Sequence, residues 1–272
     1  MRTVLITGAS SGLGKATSKL FHEKGFNVIA TMRSPDKEKD LIQQSNTLVT
    51  RLDVQDDDSI RQAIQKGIDR FGAIDVLVNN AGYGLGGPFE SATKDQITRQ
   101  YSVNVFGLMD VTKASLPWLR KNGGTIINIS SVGGIVAFPF ASLYNSTKFA
   151  VEGFSEALSH ELAPFNIAVK IVEPGSVATN FRQALEFTGS DIPDYTPLMG
   201  GFLQRFATAT GHLPKATPDD VAATIFTAAT DNKSRLRYIV GNDAQFYIGT
   251  KQQNTDEDFV SKIRTTLLPV EK

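Results

Sequence analysis

The stretch that most limits what this chain can fold into runs from Val4 to Thr31. Val4, Leu5 and Ile6 form a short apolar run that ends at a turn carrying Gly8, Gly12 and Gly14. From Lys15 to Lys24 the apolar residues Ala16, Leu20 and Phe21 recur at helical spacing, and Gly25 stops the helix. Phe26 to Thr31 is a second β-forming run. Strand, glycine turn, helix and strand in that order make a parallel βαβ unit with a right-handed crossover.

The alternation continues. A helix is predicted over 36–44, a strand over 47–52, a helix over 57–71 and a strand over 74–78. Residues 94–120 suit one long helix, followed by a strand over 125–129 and a helix over 143–163. In that last helix Ala150, Phe154, Leu158 and Leu162 read as a buried stripe. A strand over 167–172, a helix over 218–230, a strand over 237–240 and a short helix over 257–267 complete the pattern. The chain therefore reads as α/β, a single doubly wound Rossmann-type domain over 1–272, with a mostly parallel sheet of about seven strands covered by helices on both faces. Residues 181–214 alone break the rhythm. They hold Gly189, Pro193, Pro197, Gly200, Gly201 and Pro214 among bulky apolar side chains. Long excursions of this kind are lids or binding segments, or else a helical pair that merely covers core.

Composition excludes several classes. Lys+Arg and Asp+Glu balance at 28 each, so there is no basic field to attract nucleic acid or an anionic membrane. There is no cysteine, which removes disulfides, thiolate chemistry and cysteine-held metal. His22, His160 and His212 have no ligand spacing, and no metal site is expected. No apolar run reaches the ~18 residues of a membrane span, and no signal peptide is expected, so the cytoplasm is the default.

The chemistry concentrates where strands end. A glycine turn that leaves a strand and opens a helix lets backbone amides meet a pyrophosphate; Gly8, Ser10, Ser11, Gly12, Leu13 and Gly14 are the candidate contacts. At the end of the second strand no acid appears before Asp36, and Arg33 can pair with a 2′-phosphate, so NADP is expected in preference to NAD. Asp53, followed by Val54, is placed either to accept from an adenine amino group or to cap the next helix. Asn79, Asn80, Ala81 and Gly82 end the fourth strand, where amides can brace neighbouring strands and small residues can admit a cofactor. Asn104 is a polar residue in an apolar setting and a candidate anchor for a water. Tyr144 and Lys148 lie one helical turn apart, with Ser131 at the end of a strand. A free phenol has a pKa near ~10, and a neighbouring cation lowers it toward working pH, so the pair reads as a general acid/base.

These motifs together resemble the short-chain dehydrogenase/reductase family in its compact form, closely over residues 2–180 and in outline beyond. The resemblance rests on the turn from Thr7 to Gly14, Asn79 to Gly82, Asn104, Ser131, Tyr144 with Lys148, and Pro174, Gly175, Val177 and Thr179. It implies that Tyr144 is the general acid/base and that Ser131 polarises the substrate oxygen. Lys148 would bind the nicotinamide ribose, Asn104 would hold a relay water, and Pro174, Gly175, Val177 and Thr179 would contact the nicotinamide half. It also implies homodimers or homotetramers, with the 143–163 helix a candidate interface. Two departures stand out: Ser11 occupies a position that is basic in some NADP-binding members, and the segment after Thr179 matches no substrate-defining pattern. The expected activity is an NADP-preferring exchange of a carbonyl and a secondary alcohol. The bulky residues after Phe181 point to a lipophilic substrate, steroid-, retinoid- or aromatic-ketone-like. The other readings are a cofactor-binding sensor or scaffold without chemistry, an NAD-dependent alcohol dehydrogenase of the same family, and a nucleotide-sugar epimerase or dehydratase.

Overall fold

The computed structural model describes residues 1–177, 185–189 and 192–269. Seven strands form one parallel sheet in the order β3-β2-β1-β4-β6-β7-β9. They are β1 (Thr3–Ile6), β2 (Asn27–Met32), β3 (Thr47–Arg51), β4 (Val76–Asn79), β6 (Gly124–Ile129), β7 (Ile167–Pro174) and β9 (Arg237–Val240). The order reverses between β1 and β4, which opens a crevice at their carboxyl ends.

Strand alternation sorts the core into two layers. Val4 and Ile6 of β1 face one side, with Phe21 of α1 (Gly12–Glu23) and Val221 and Ile225 of α7 (Pro218–Thr230). Leu5 faces the other, with Ile60 and Ala63 of α2 (Asp57–Phe71), Val111 and Leu119 of α4 (Gly107–Asn122) and Leu158 of α5 (Ser142–Leu162). Helix starts are tied down by side chains: Asp56 accepts the Ser59 N–H, and Thr217 forms a reciprocal cap with Asp220.

Four features depart from expectation. Residues 36–44 form two short 3-10 turns, Pro35–Lys37 and Leu41–Gln43, because the buried Glu38 carboxylate accepts the N–H groups of Asp40 and Leu41 and interrupts the helical ladder. The long helix over 94–120 is two helices, α3 (Lys94–Tyr101) and α4, joined by a π-helical turn over Ser102–Phe106. The 181–214 segment contributes β8 (Leu185–Phe187), which pairs in parallel with β5 (Gly84–Gly86), and α6 (Tyr195–Ala209). Helix α8 (Asn242–Gln252) was not foreseen; α9 (Asp256–Leu267) was.

A third apolar cluster holds that outer layer together, with Phe202 and Phe206 of α6 packed against Phe138, Tyr247 and Phe259. Part of the apolar content after residue 181 is therefore core, as the helical-cover alternative anticipated. Phe187, Leu198 and Leu203 remain exposed. Among the described residues no helix is long and apolar enough to cross a membrane.

The first layer is tied by Phe21, Phe26 and Phe226, whose rings meet edge to face at 5.0, 5.2 and 5.9 Å. Phe21 is fully buried at the centre of this triad. Phe21→Ala is expected to cost about 3–5 kcal/mol of stability, read from urea unfolding against the parent protein.

Candidate active site

The crevice begins at Thr7. Its hydroxyl accepts the N–H groups of both Asn80 and Ala81 at 3.0 Å, while the Asn80 amide donates to the carbonyls of Thr7 at 2.8 Å and Gly8 at 3.2 Å. The turns after β1 and β4 are thus stitched together. Nothing bulky fits between them. A Cβ on Gly8 would stand 3.0 Å from the Ala81 Cα, and one on Gly14 would collide with the Gly8 carbonyl and lie 2.6 Å from the Asn80 amide nitrogen. Gly8 and Gly12 also hold left-handed φ values of 69° and 52°.

Helix α1 opens from this turn without a side-chain cap from Ser11 and with no acid in its first turn. A bare, electropositive helix start beside a cradle with no room for a Cβ at Gly8 or Gly14 fits a dinucleotide pyrophosphate. When bound, a nicotinamide dinucleotide supplies the hydride that the protein itself cannot. Leu13 is partly buried against the first core layer, while Ser10 and Ser11 lie on the turn.

Further along the crevice, Arg33 is exposed just beyond β2, next to Thr31, which is buried and bonded to the Ile6 carbonyl. Asp53 does not cap α2. That role belongs to Asp56, and Asp53 instead accepts the Gln55 N–H at 3.1 Å. Val54 is buried beneath the turn, against Gly107. Asn79 reaches past the crevice to Thr112 at 2.8 Å and Asn128 at 2.9 Å, and Asn128 continues to Ser155 at 2.8 Å. This buried chain of amides and hydroxyls locks β4 and β6 to α4 and α5.

Ser131, Tyr144 and Lys148 come together on one wall. Ser131 follows β6 and accepts the Gly133 N–H at 3.0 Å. Its hydroxyl also bonds the Tyr144 phenol. The turn between them is held by Asn145, a buried residue the sequence reading passed over, whose amide donates to the carbonyls of Gly133 at 3.0 Å and Val136 at 2.9 Å. Its place beside Tyr144 was the signal available. Lys148 is buried, donates to the Ile129 carbonyl at 2.8 Å, and sits with its nitrogen 5.8 Å from the centre of the Tyr144 ring.

The electrostatics correct the sequence reading. Burial pushes the Tyr144 phenol above its ordinary value, and the Ser131 hydroxyl pulls only part of the way back. Lys148 does not overcome that rise; its ammonium is turned to a backbone carbonyl, and burial brings its own pKa down to about 8. Desolvation outweighs the through-space attraction that residue spacing suggests.

Asn104 lies in the π-helical turn. Its Oδ1 accepts the Tyr83 N–H at 3.0 Å, and its amide donates to the Tyr83 carbonyl at 2.9 Å and the Thr147 hydroxyl at 3.2 Å. Both amide hydrogens are spent, leaving only Oδ1 to receive a hydrogen from a water. Gly82 lies between Asn104 and Lys148. On the far side, Pro174 ends β7, Gly175 packs against the Asp243 carboxylate, and Val177 pairs with Ala216 in an isolated bridge. Thr179 lies outside the described residues.

The family model described as short chain dehydrogenase matches residues 2–188. An uncharacterised oxidoreductase of Schizosaccharomyces pombe is 40% identical over 86% of this chain and 98% of its own length. A 3-ketodihydrosphingosine reductase of Bacteroides thetaiotaomicron is 45% identical over 69% of this chain and 70% of its own. Retinol dehydrogenase 8 of Bos taurus is 36% identical over 87% and 80%. Among solved structures, a short-chain dehydrogenase from Streptomyces avermitilis superposes with a TM-score of 0.85 at 33% identity, covering 97% of this chain and 96% of that one. A 3-ketoacyl-(acyl-carrier-protein) reductase from Brucella melitensis complexed with NADH has a TM-score of 0.73 at 25% identity, covering 88% and 96%. ElxO with NADP bound has a TM-score of 0.73 at 29% identity, covering 88% and 97%.

The two turn glycines make separable predictions. Gly14→Ala should weaken dinucleotide binding at least about tenfold, because the collision is with backbone. At Gly12 a Cβ meets nothing within 4 Å. Gly12→Ala should therefore cost only the strain of its φ, about 1–2 kcal/mol of stability. Calorimetric titration and thermal unfolding of both variants check this.

Proposed function

Since the chain belongs to the short-chain dehydrogenase family and is an NAD(P)-dependent oxidoreductase, we propose that it is an NADP-preferring reductase of lipophilic carbonyl compounds. It works as one dinucleotide-binding unit, with the 181–214 segment on the substrate side. The observation that carries this reading is the meeting of Ser131, Tyr144 and Lys148 on one wall, beside the turn after β4.

In reduction the Tyr144 hydroxyl gives its proton to the substrate oxygen. A phenol held above its ordinary pKa is fully protonated at neutral pH, which is the donor form this direction needs. The Ser131 hydroxyl holds the same oxygen and the phenol. Lys148, aimed by the Ile129 carbonyl, supplies positive charge as the phenolate forms. Asn104 braces the Tyr83 turn against α5 and keeps Gly82 open beside Lys148. Asn80, Ala81, Pro174, Gly175 and Val177 would line the path of the cofactor, and Thr179 is assigned to the same path from the sequence alone. Registration of the two reactants provides much of the rate.

Arg33 supports the NADP preference: it is exposed beyond β2, and no acid follows until Asp36. Phe140 supports a lipophilic substrate. It precedes Tyr144 by four residues, takes a φ of 56°, and faces Tyr195 at 6.4 Å and Phe202 at 5.4 Å on α6. The names of the sphingoid-base and retinol relatives agree with that chemistry. A homodimer or homotetramer through α5 goes with this reading, since Phe149 on that helix is 42% exposed.

Tyr144→Phe should lose at least about a hundredfold in kcat and keep dinucleotide affinity, measured by NADPH oxidation with an aromatic ketone and by calorimetry. Arg33→Ala should raise the KM for NADPH about tenfold or more and leave that for NADH near the parent's, as expected for a lost charge-assisted contact of about 1.5–3 kcal/mol.

A further inference from the structure

Behind Lys148 lies a charged cluster with no part in the reading above. Glu152 follows Lys148 by one turn of α5 on the same face, and the two are 5% and 8% exposed. Arg237, on β9, donates from Nε to Glu152 at 3.0 Å and from its terminal nitrogen to Glu156 at 2.6 Å. The same Nε stands 3.4 Å from Glu173 of β7, which is 1% exposed. The packing is tight. A Cβ on Gly134 would lie 2.5 Å from the Ser130 hydroxyl, 3.0 Å from the Glu152 Cγ and 3.1 Å from the Lys148 carbonyl oxygen. Burying two carboxylates around one guanidinium stabilises a fold little compared with apolar packing of the same volume. Stability alone does not account for the cluster.

We propose that Glu152 is a positioning residue of the active site: its carboxylate, anchored by Arg237, holds the Lys148 ammonium charged beneath Tyr144. This rests on the reading of Tyr144 and Lys148 as the proton-transfer pair.

Among the described residues, the groups facing Lys148 leave Glu152 as its counter-charge. On its own helix these are the Tyr144 ring and Glu152. From the turn after β4 it meets Gly82, with uncharged Asn104 beyond, and from β6 the Ile129 carbonyl. Facing Glu152 are Arg237 from β9, Glu173 from β7, and Ser130 from the end of β6, with Glu156 sharing the guanidinium and Arg235 acting on Glu173. Burial brings the Lys148 pKa down to about 8, and Glu152 opposes that fall. Burial likewise pushes Glu152 up, and Ser130, Arg237 and Lys148 bring it only part of the way back. Burial and Glu152 push Glu173 up to about 7, against the pull of Arg237 and Arg235. Removing the Glu152 charge must therefore lower the Lys148 pKa and discharge the ammonium at a lower pH.

The test follows two readouts: the pH profile of kcat/KM with NADPH and an aromatic ketone, and an NMR titration of lysine 13Cε signals in the protein without cofactor. Glu152→Gln should move the Lys148 midpoint and the alkaline limb below about 8. The activity lost near that pH should exceed about threefold and shrink as pH falls. Glu152→Asp should give an intermediate midpoint, and serves alone if Glu152→Gln does not fold. Glu156→Gln should leave both readouts in place. Parent-like midpoints in both Glu152 variants overturn the proposal, as does an equal shift in Glu156→Gln. Tyr144→Phe in the same assay separates the two levels. Near-parent turnover there refutes the underlying pair, whereas an inactive Tyr144→Phe with unshifted Glu152 variants refutes the Glu152 role alone.

Discussion

One threonine hydroxyl governs the geometry of the whole crevice. Thr7 accepts two backbone N–H groups from the turn after β4, and Asn80 returns two bonds to the turn after β1. Parallel strands ordinarily splay at their carboxyl ends, where a doubly wound sheet opens to ligands. Here the splay is held to a gap with no room for a side chain at Gly8 or Gly14. The start of α1 is thereby pressed to the rim of the gap, and its unsatisfied amides face the opening. The Asn79–Asn128–Ser155 chain does the same job one layer deeper, where a missing partner would cost more.

Much of the fold was legible because its signals are local. Glycine spacing, apolar runs bounded by turn residues and helical stripes located all seven strands of the main sheet and most helices. What escaped depended on contacts between distant residues. The three-residue strands β5 and β8 pair across a hundred positions of sequence and have no pattern of their own. Helix α8 buries Asp243 and exposes Phe246, the reverse of what periodicity expects. The α5 stripe proved less apolar than its spacing suggested. Ala150 and Phe154 are only partly buried, and Asn145, Lys148, Glu152 and Ser155 take the buried face.

The candidate site divides along the same line. Residue types and order were enough to single out Ser131, Tyr144 and Lys148, and the fold brings them onto one wall. Their protonation was not readable, since it turns on depth. Spacing suggested that the cation would make the phenol acidic; burial instead holds the phenol protonated and weakens the hold of Lys148 on its own proton. The capping alternative for Asp53 fell to a neighbour, Asp56, three residues on. Asn145 illustrates a third kind of gap: its importance lies in two carbonyls of a turn nine and twelve residues upstream, a partner set that only the folded chain defines.

The π-helical turn at Ser102–Phe106 sets Asn104 facing the crevice while α3 and α4 continue on either side. Each residue of an ordinary helix advances the chain by about 100°. A residue of a π-helical turn winds the chain by less than that, so the turn takes up one residue more than regular winding needs. A single-codon deletion there would restore regular winding with Val111, Thr112 and Leu119 still toward the sheet, and it would remove the wide turn that carries Asn104. The extra residue therefore belongs to the crevice and not to the packing of the sheet.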